Sequence, residues 1–472
     1  MGGFSTVTPS GGSVNATSVA QAVWSYTPRS LTDIQSLVSA IRNNDPSLLS
    51  TLSDILYVPA PFFAGQVSAT QVAAFLDNLV LNYGLVGPVA AAISASPYGL
   101  WSTNFVTQIA PYLSATSLVQ VLLSGQMDAD HAQLILYTLA QNYYYNKWIL
   151  TVIANVPSSI TFSTNVRLST NVLIAQNITI ASGVTVTCGT QTCFFVAQSF
   201  NNYGTIVSPY GAPGGAPVDS AGAGGTGGGG IVVVAITAAL GTLNVSGNPG
   251  GNASGYSASG TGGAGAAGIF YVVTGVTVPI GGTGGGESGY ASLPGYNSGG
   301  GGGSDGNYSG GPGGGATVNS FSSPNAMVTY ILQGLSDWWI TATVGRPPTY
   351  VTPLAFMYGS GGGAGAVTSG YQAAGGGGGG AGEVVAYGYN VVSGKITAVG
   401  GTGGAVSGCA TCSAGGGGGG AGGLVFIFYG ATSGTITASL AGGAGGTGLG
   451  GGSNGAAGST GVLQIAAVTV NG

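Results

Sequence analysis

The sequence predicts an α+β multidomain protein: a small N-terminal helical domain followed by a mainly-β, glycine-rich repeat region. Three observations carry this. Glycine occurs 95 times in 472 residues, about three times the usual share of about 7%. The apolar period changes from that of a helix to that of a strand near residue 157. A unit of glycine run, apolar strand, short turn, second strand and glycine run then recurs down the chain.

The helical part is residues 1–157, which hold six of the eleven acids. Ser30 to Arg42 carries Ile34, Leu37, Val38 and Ile41 at helical spacing behind a Ser30 or Thr32 cap. Ser47 to Leu56, Ser68 to Leu81, Ser102 to Leu113 and Ser114 to Leu123 read as further helices, and Asp128 to Ile153 as the longest. The apolar stretch Val72 to Ile93 is broken by Asp77, Asn78, Asn82, Gly84 and Pro88, so a buried helix and loop are expected there and not a membrane span. Met1-Gly-Gly-Phe-Ser-Thr has neither the basic nor the apolar region of a signal peptide.

Residues 158–210 form a β-strand connector. Ser159 to Leu168 and Asn171 to Ile180 alternate apolar with polar, and short strands at 184–188 and 194–197 continue the pattern. The glycine-rich array occupies 211–472. Its copies start at 230, 268, 382, 422 and 461, so the intervals are 38, 114, 40 and 39 residues and the period is near 39. Stacked units sharing one core are expected, as a β-solenoid or a sandwich. The long interval holds an aromatic-rich insertion at about 288–358.

Gly375–Gly380 and Gly415–Gly420 are uninterrupted hexaglycines. Ordering such a run costs more backbone entropy than any other residue would. Each run is held between apolar strands at fixed period, which favours ordered polyglycine II-type packing over a flexible linker.

Charge excludes several functions. Net charge is −5, and charged residues make up 4%. Arg29, Arg42, Lys147, Arg167, Arg346 and Lys395 are scattered singly, whereas nucleic-acid binding needs clustered bases. Mean hydropathy is +0.42, which disfavours a disordered tail. No Gly-Lys-Ser/Thr follows a glycine run, so no phosphate cradle and no cofactor are expected.

Cysteines form two local pairs, Cys188 with Cys193 and Cys409 with Cys412, 216 residues apart. Two disulfide-stapled turns in an oxidising location are expected, with a zinc site the alternative. His131, the single histidine, is expected on a helix surface. The carboxylates Asp219, Glu287, Asp305, Asp337 and Glu383 show no paired spacing, so no catalytic residues are assigned. Asn15, Asn177, Asn244, Asn252 and Asn307 stand in glycosylation sequons.

Ala22-Val-Trp-Ser-Tyr-Thr-Pro-Arg-Ser-Leu-Thr resembles a stretch found in bacteriophage tail and fibre proteins. The hexaglycines, alternating with variable segments, resemble the glycine-rich adhesins of phage fibre tips, and the overall plan is similar to tail fibres or tailspikes of archaeal viruses. The resemblance implies a homotrimer on a virion surface or outside the cell. It also implies other virion proteins as partners through the N-terminal domain and a host surface glycan or protein as receptor. A surface adhesin or filament subunit, and a polysaccharide-cleaving tailspike using Glu287 or Asp337, are the alternatives. Tyrosine supplies large contact area at small entropic cost, so Tyr290, Tyr296, Tyr308, Trp338, Trp339 and Tyr350 are the expected receptor contacts.

Overall fold

The computed structural model describes residues 69–94, 112–141, 146–155, 158–189, 191–216, 221–254, 264–286, 299–304, 310–345, 347–352, 354, 357–366, 374–408 and 413–468. The chain splits into two compact units, Met1–Val152 with Gln333–Thr352, and Ile153–Leu332 with Pro353–Gly472. The helices expected at 30–42 and 47–56, and most of that at 102–113, lie outside the described residues.

The first unit is helical. Its helices are α1 (Ala69–Leu81), α2 (Val86–Ser94), α3 (Ala115–Leu122), α4 (Ala129–Gln141), most of α5 (Asn146–Ile153) and the C-terminal part of α6 (Pro324–Val344). Gly84 ends the α1 turn with φ 65°, a conformation in which glycine pays no Cβ penalty. Ser114 caps α3: its Oγ accepts from the Ser117 amide at 3.1 Å, while its own amide donates to the Asp77 carboxylate at 3.1 Å. Leu76, Leu79, Leu118, Leu122, Leu136 and Leu139 are buried.

Of the helix expected over Asp128 to Ile153, α4 and α5 are the described parts. One expectation is corrected: the longest helix among the described residues is α6, within the segment expected to be an aromatic-rich insertion. Its start is locally encoded: Ser323 Oγ accepts from the Ala326 amide at 3.2 Å, and Pro324 fills the first helical position, where no amide is needed. Gly345, at φ 76°, stops it.

The second unit holds a ten-stranded sheet in the order β1-β3-β5-β7-β11-β13-β14, with β2, β4 and β6 paired beside it. These are β1 (Ser159–Phe162), β2 (Val166–Arg167), β3 (Val172–Ile180), β4 (Thr185–Thr187), β5 (Thr192–Asn202), β6 (Thr205–Val207), β7 (Gly230–Asn244), β11 (Glu383–Thr397), β13 (Leu424–Ser439) and β14 (Val462–Ala467). All pairings are parallel, and the sheet runs without interruption from the 158–210 segment into the array.

Each long strand doubles back on itself. The segments flanking β7 run antiparallel, with Asn248 N donating to Thr226 O and Gly251 N to Ala223 O. Chain direction therefore reverses within β7. Gly241, at φ 57°, lies in the reversal, where a Cβ would meet Asn202 O at 2.1 Å. Asn202 Nδ2 meanwhile donates to Leu240 O at 2.8 Å. Successive layers repeat the fold in register, so that Cys193, Ile231, Val384 and Val425 share one column. Phe195, Val233, Ala386 and Ile427 share the next inward column. All eight are buried, in one continuous core enclosed by the layers.

The copies starting at 230, 382, 422 and 461 are consecutive layers. The expected copy at 268 is not. It begins β9 (Gly268–Val273), which pairs in parallel with β10 (Ala316–Phe321) in a separate two-stranded sheet. Tyr271 meets Phe321 and Tyr330 edge-on beside it, and Phe321 and Tyr330 lie tilted to each other, with centroids 5.3 to 5.8 Å apart.

Glycine runs continue the strands as hydrogen-bonded rows. The run 374–382 shows the rule, because its amides address three neighbours in rotation. Gly375, Gly378 and Ala381 donate to Gly415, Gly418 and Ala421; Gly376, Gly379 and Gly382 to Gly251, Asn248 and Val245; Gly377 and Gly380 to Gly363 and Ser360. Three residues complete each turn. The pattern generates a triangular lattice in four rows: 245–252, 398–405 and 440–448; then 221–229, 374–382, 414–423 and 452–461; then 211–215, 358–366, 299–304 and 279–286; then 264–267 and 310–315. Direction is uniform within a row and reverses between adjacent ones.

Segments 358–366, 374–382 and 414–423 are enclosed on all six sides. The last two contain the hexaglycines. A Cβ at Gly378 would stand 1.9 Å from Gly401 O, and one at Gly419 1.9 Å from Gly443 O. Glycine is required there by backbone approach.

Candidate contact surface

The alternation of the rows gives the bundle two different ends. At one, the segments enter the curled strands. At the other, Gly222 donates to Ala374 O, Gly365 to Gly222 O, Gly303 to Gly375 O, Gly404 to Gly376 O and Gly415 to Ser304 O, so these residues lie at one level. The described residues on both sides of 217–220, 305–309, 367–373 and 409–412 stand at this end, as do those that precede 255–263 and 287–298; Gly299, which follows 287–298, stands toward the strand end, where Gly300 donates to Gly378 O and Gly301 to Gly282 O. The end is sealed by short ladders, with β8 (Ala253–Ser254) pairing β12 (Val406–Ser407) and Ala414 bridging Leu449. Ala253, Val406 and Ala414 form a small buried cluster against Leu449.

Four of these segments, 255–263, 287–298, 305–309 and 367–373, are chemically alike and contain Tyr256, Tyr290, Tyr296, Tyr308 and Tyr371, in Gly-Tyr or Asn-Tyr pairs, among Ser, Asn and Gly. Asp219, Glu287 and Asp305 also fall among the six. The expected contacts Tyr290, Tyr296 and Tyr308, the sequons at Asn15 and Asn307, and the pair Cys409 and Cys412 lie outside the described residues. Tyr256 and Tyr371, which carry the same Gly-Tyr pair between glycine runs, also lie outside the described residues.

The other expected contacts stand elsewhere, on the first unit. Trp338 and Trp339 are neighbours on α6. Trp338 is 41% exposed, whereas Trp339 is buried at 2%, with no hydrogen-bond partner for its indole N–H. Burial leaves Trp339 no face for a receptor. Tyr350 is 73% exposed, and its carbonyl accepts from Gln133 Nε2.

Beside it lies a polar cluster. Buried Asp337 accepts from Gln133 Nε2 at 2.8 Å, from the Thr352 amide at 2.7 Å and from Tyr137 Oη. Burial, then the Asp337 carboxylate, push the Tyr137 phenol far above its usual range. Asp337 is thus saturated by donors that tie α4, α6 and 349–352 together. Asp130 adds a further tie by accepting from the Thr349 amide at 2.7 Å.

His131 is 6% exposed, which corrects the expectation of a surface position. Its Nδ1 meets Asp128 Oδ2 at 2.5 Å. Burial would raise the Asp128 carboxyl, but the His131 amide and ring hold it below the usual range.

Glu383, which opens β11, is fully buried. One carboxyl oxygen accepts from the Tyr271 amide at 2.8 Å, and the other has no partner. Burial pushes its carboxyl well above the usual range, against the opposing effect of the Tyr271 donation. Among the described residues no group of three or more His, Cys, Asp or Glu is placed to hold a metal ion, and no helix is long and apolar enough to cross a membrane. Cys188 and Cys193 are joined in a disulfide. Of the described sequons, Asn252 is exposed beside the loop end, while Asn177 and Asn244 are half-buried in the sheet.

Compared with known proteins, the chain matches no family, no curated protein and no solved structure.

Proposed function

We propose that this protein is a structural attachment fibre or tailspike component of a virion, which meets the host cell surface through the loop end of its glycine bundle. One observation carries the reading: four tyrosine-containing segments of unlike sequence, 255–263, 287–298, 305–309 and 367–373, are joined through one or both of their flanks to the same end of an ordered glycine lattice. In this reading the curled layers are solenoid rungs and the triangular lattice is a polyglycine II bundle. The lattice supplies rigidity, so the segments pay less entropy on binding. Tyrosine, serine and asparagine provide adaptable contacts. The N-terminal region anchors the chain to other virion proteins, and the receptor is a surface glycan or protein.

The test is binding to host cells and to immobilised envelope fractions. Changing Tyr256, Tyr290, Tyr296, Tyr308 and Tyr371 together to Ala is expected to weaken binding at least tenfold while the bundle keeps its hydrogen-exchange protection. Binding that survives this variant but disappears on Trp338→Ala would move the contact surface to the helical unit and sink the reading.

A further inference from the structure

Among the described residues the stack of layers begins and ends on incomplete layers, and the two are complementary. A full layer has a first arm, a middle segment and a returning arm, as in 230–235, 237–239 and 242–244 of β7. The first layer, β1 and β2, supplies only the middle and returning parts, since Ser159–Phe162 pairs with Asn177–Ile180 and Val166–Arg167 with Val186–Thr187. The last layer, β14, supplies only a first arm, since Val462–Ala467 pairs with Leu424–Tyr429. What one end lacks, the other end has.

The core records the same mismatch. Leu463 stands in the column of Ile231, Val384 and Val425, and Ile465 in that of Val233, Ala386 and Ile427. These six neighbours are 0% exposed, yet Leu463 is 38% and Ile465 42% exposed. Among the described residues no returning arm faces them. At the opposite end Ile160, Phe162 and Val166 pack against the core and remain partly open. Ile436 and Ala438 of β13 do the same at the β14 end.

We propose that a second copy of this chain docks end to end on the first, so that β14 of one copy and β1–β2 of the next together form a single complete layer. Extending the observed register places Arg167 of the next copy opposite Ser439, Val166 opposite Ala438, and Leu173 opposite Ile465. All pairings in the stack are parallel, so translation along it satisfies both edges together, and open edges of this kind accept added strands. The contact is heterologous and leaves a free edge at each end, which permits an open chain of copies. One layer is shared, so each copy advances six layers, roughly 29 Å at the usual strand spacing of about 4.8 Å. The proposal stands on the strand edges and is independent of the attachment reading.

The test uses full-length chains carrying Arg167→Cys, Ser439→Cys or both, with wild type as background for the native cysteines. Opposed positions would lie about 4.8 Å apart at Cα, within disulfide reach. Under mild oxidation the double variant is expected to give a ladder of cross-linked copies, an equal mixture of the single variants to stop at dimers, and each single variant alone to match wild type. Ile465→Asp, with its circular dichroism unchanged, is expected to reduce self-association in sedimentation at least tenfold. A single variant that cross-links to itself would overturn the proposal in favour of a two-fold contact. So would a double variant that stays monomeric at every concentration, or association that Ile465→Asp leaves intact.

Discussion

Replacing Gly378 with Ala tests the glycine lattice at its centre. Elsewhere, Gly→Ala at a compatible position stabilises by about 0.4–1 kcal/mol through the unfolded chain. Here the added Cβ would stand 1.9 Å from Gly401 O and 2.5 Å from its carbonyl carbon, about 1.5 Å short of an ordinary contact. Neither atom belongs to a side chain that can rotate away. Relief requires segment 398–405 to withdraw, which breaks the bonds from Gly401 N to Gly379 O (2.8 Å) and Gly404 N to Gly376 O (2.7 Å). Each buried amide left without a partner costs about 1–3 kcal/mol. The expected net loss is therefore about 2–5 kcal/mol, a large part of the roughly 5–15 kcal/mol that a folded domain usually has.

The assay must report on the bundle. All five tryptophans lie at positions 24, 101, 148, 338 and 339, in the other unit, so indole fluorescence would miss the effect. Hydrogen exchange of the 375–382 peptide during urea denaturation reads it directly. Gly451→Ala is the control, since its Cβ would meet only the end of the Ser413 side chain, at 2.6 Å. A change within about 0.5 kcal/mol is expected there. Wild-type or greater stability in Gly378→Ala, with protection retained, would refute close packing of the runs.

Two further outcomes follow from buried polar groups. The Glu383 carboxyl is raised in the folded state, so the folded chain binds a proton that the unfolded chain has released above its ordinary range. That contribution is present at low pH and is lost as pH rises from the ordinary carboxyl range through the raised folded value; Glu383→Gln should raise the melting temperature at pH 7 and flatten its pH dependence, and equal melting of both proteins at pH 4 and pH 7 would exclude a buried neutral acid. Tyr137→Phe removes one donor from buried Asp337 and should destabilise the helical unit by about 1–3 kcal/mol, followed through tryptophan emission in urea, with an unchanged midpoint counting against the cluster as a structural tie.

The sequence showed some features openly. The two hexaglycines mark segments enclosed on six sides, because only full enclosure forbids a Cβ at every consecutive position. Edge segments such as 452–461 admit Ser453, Asn454 and Ala456. The period near 39 is the length of one curled strand with its two glycine segments, which is why 382, 422 and 461 are adjacent layers. The copy at 268 misled because a strand flanked by glycine reads alike whichever ladder it joins. The helix α6 was concealed by its aromatics, although Ser323-Pro324 and Gly345 bracket it. Which loops share an end was not legible, since it depends on rows alternating in direction, a property of hydrogen bonds between segments far apart in sequence.

Those bonds also decide how the bundle answers a pull. They run across the segments and not along them, so tension between the loop end and the strand end loads them in shear. A helix under the same tension stretches its bonds one turn at a time. Here a segment slides only when every transverse bond on its length yields together, and an enclosed segment is gripped from all sides. Resistance thus grows with the length of run overlapped, so lengthening an enclosed run and its neighbours together by three residues would toughen the bundle, whereas lengthening one alone would add no partners.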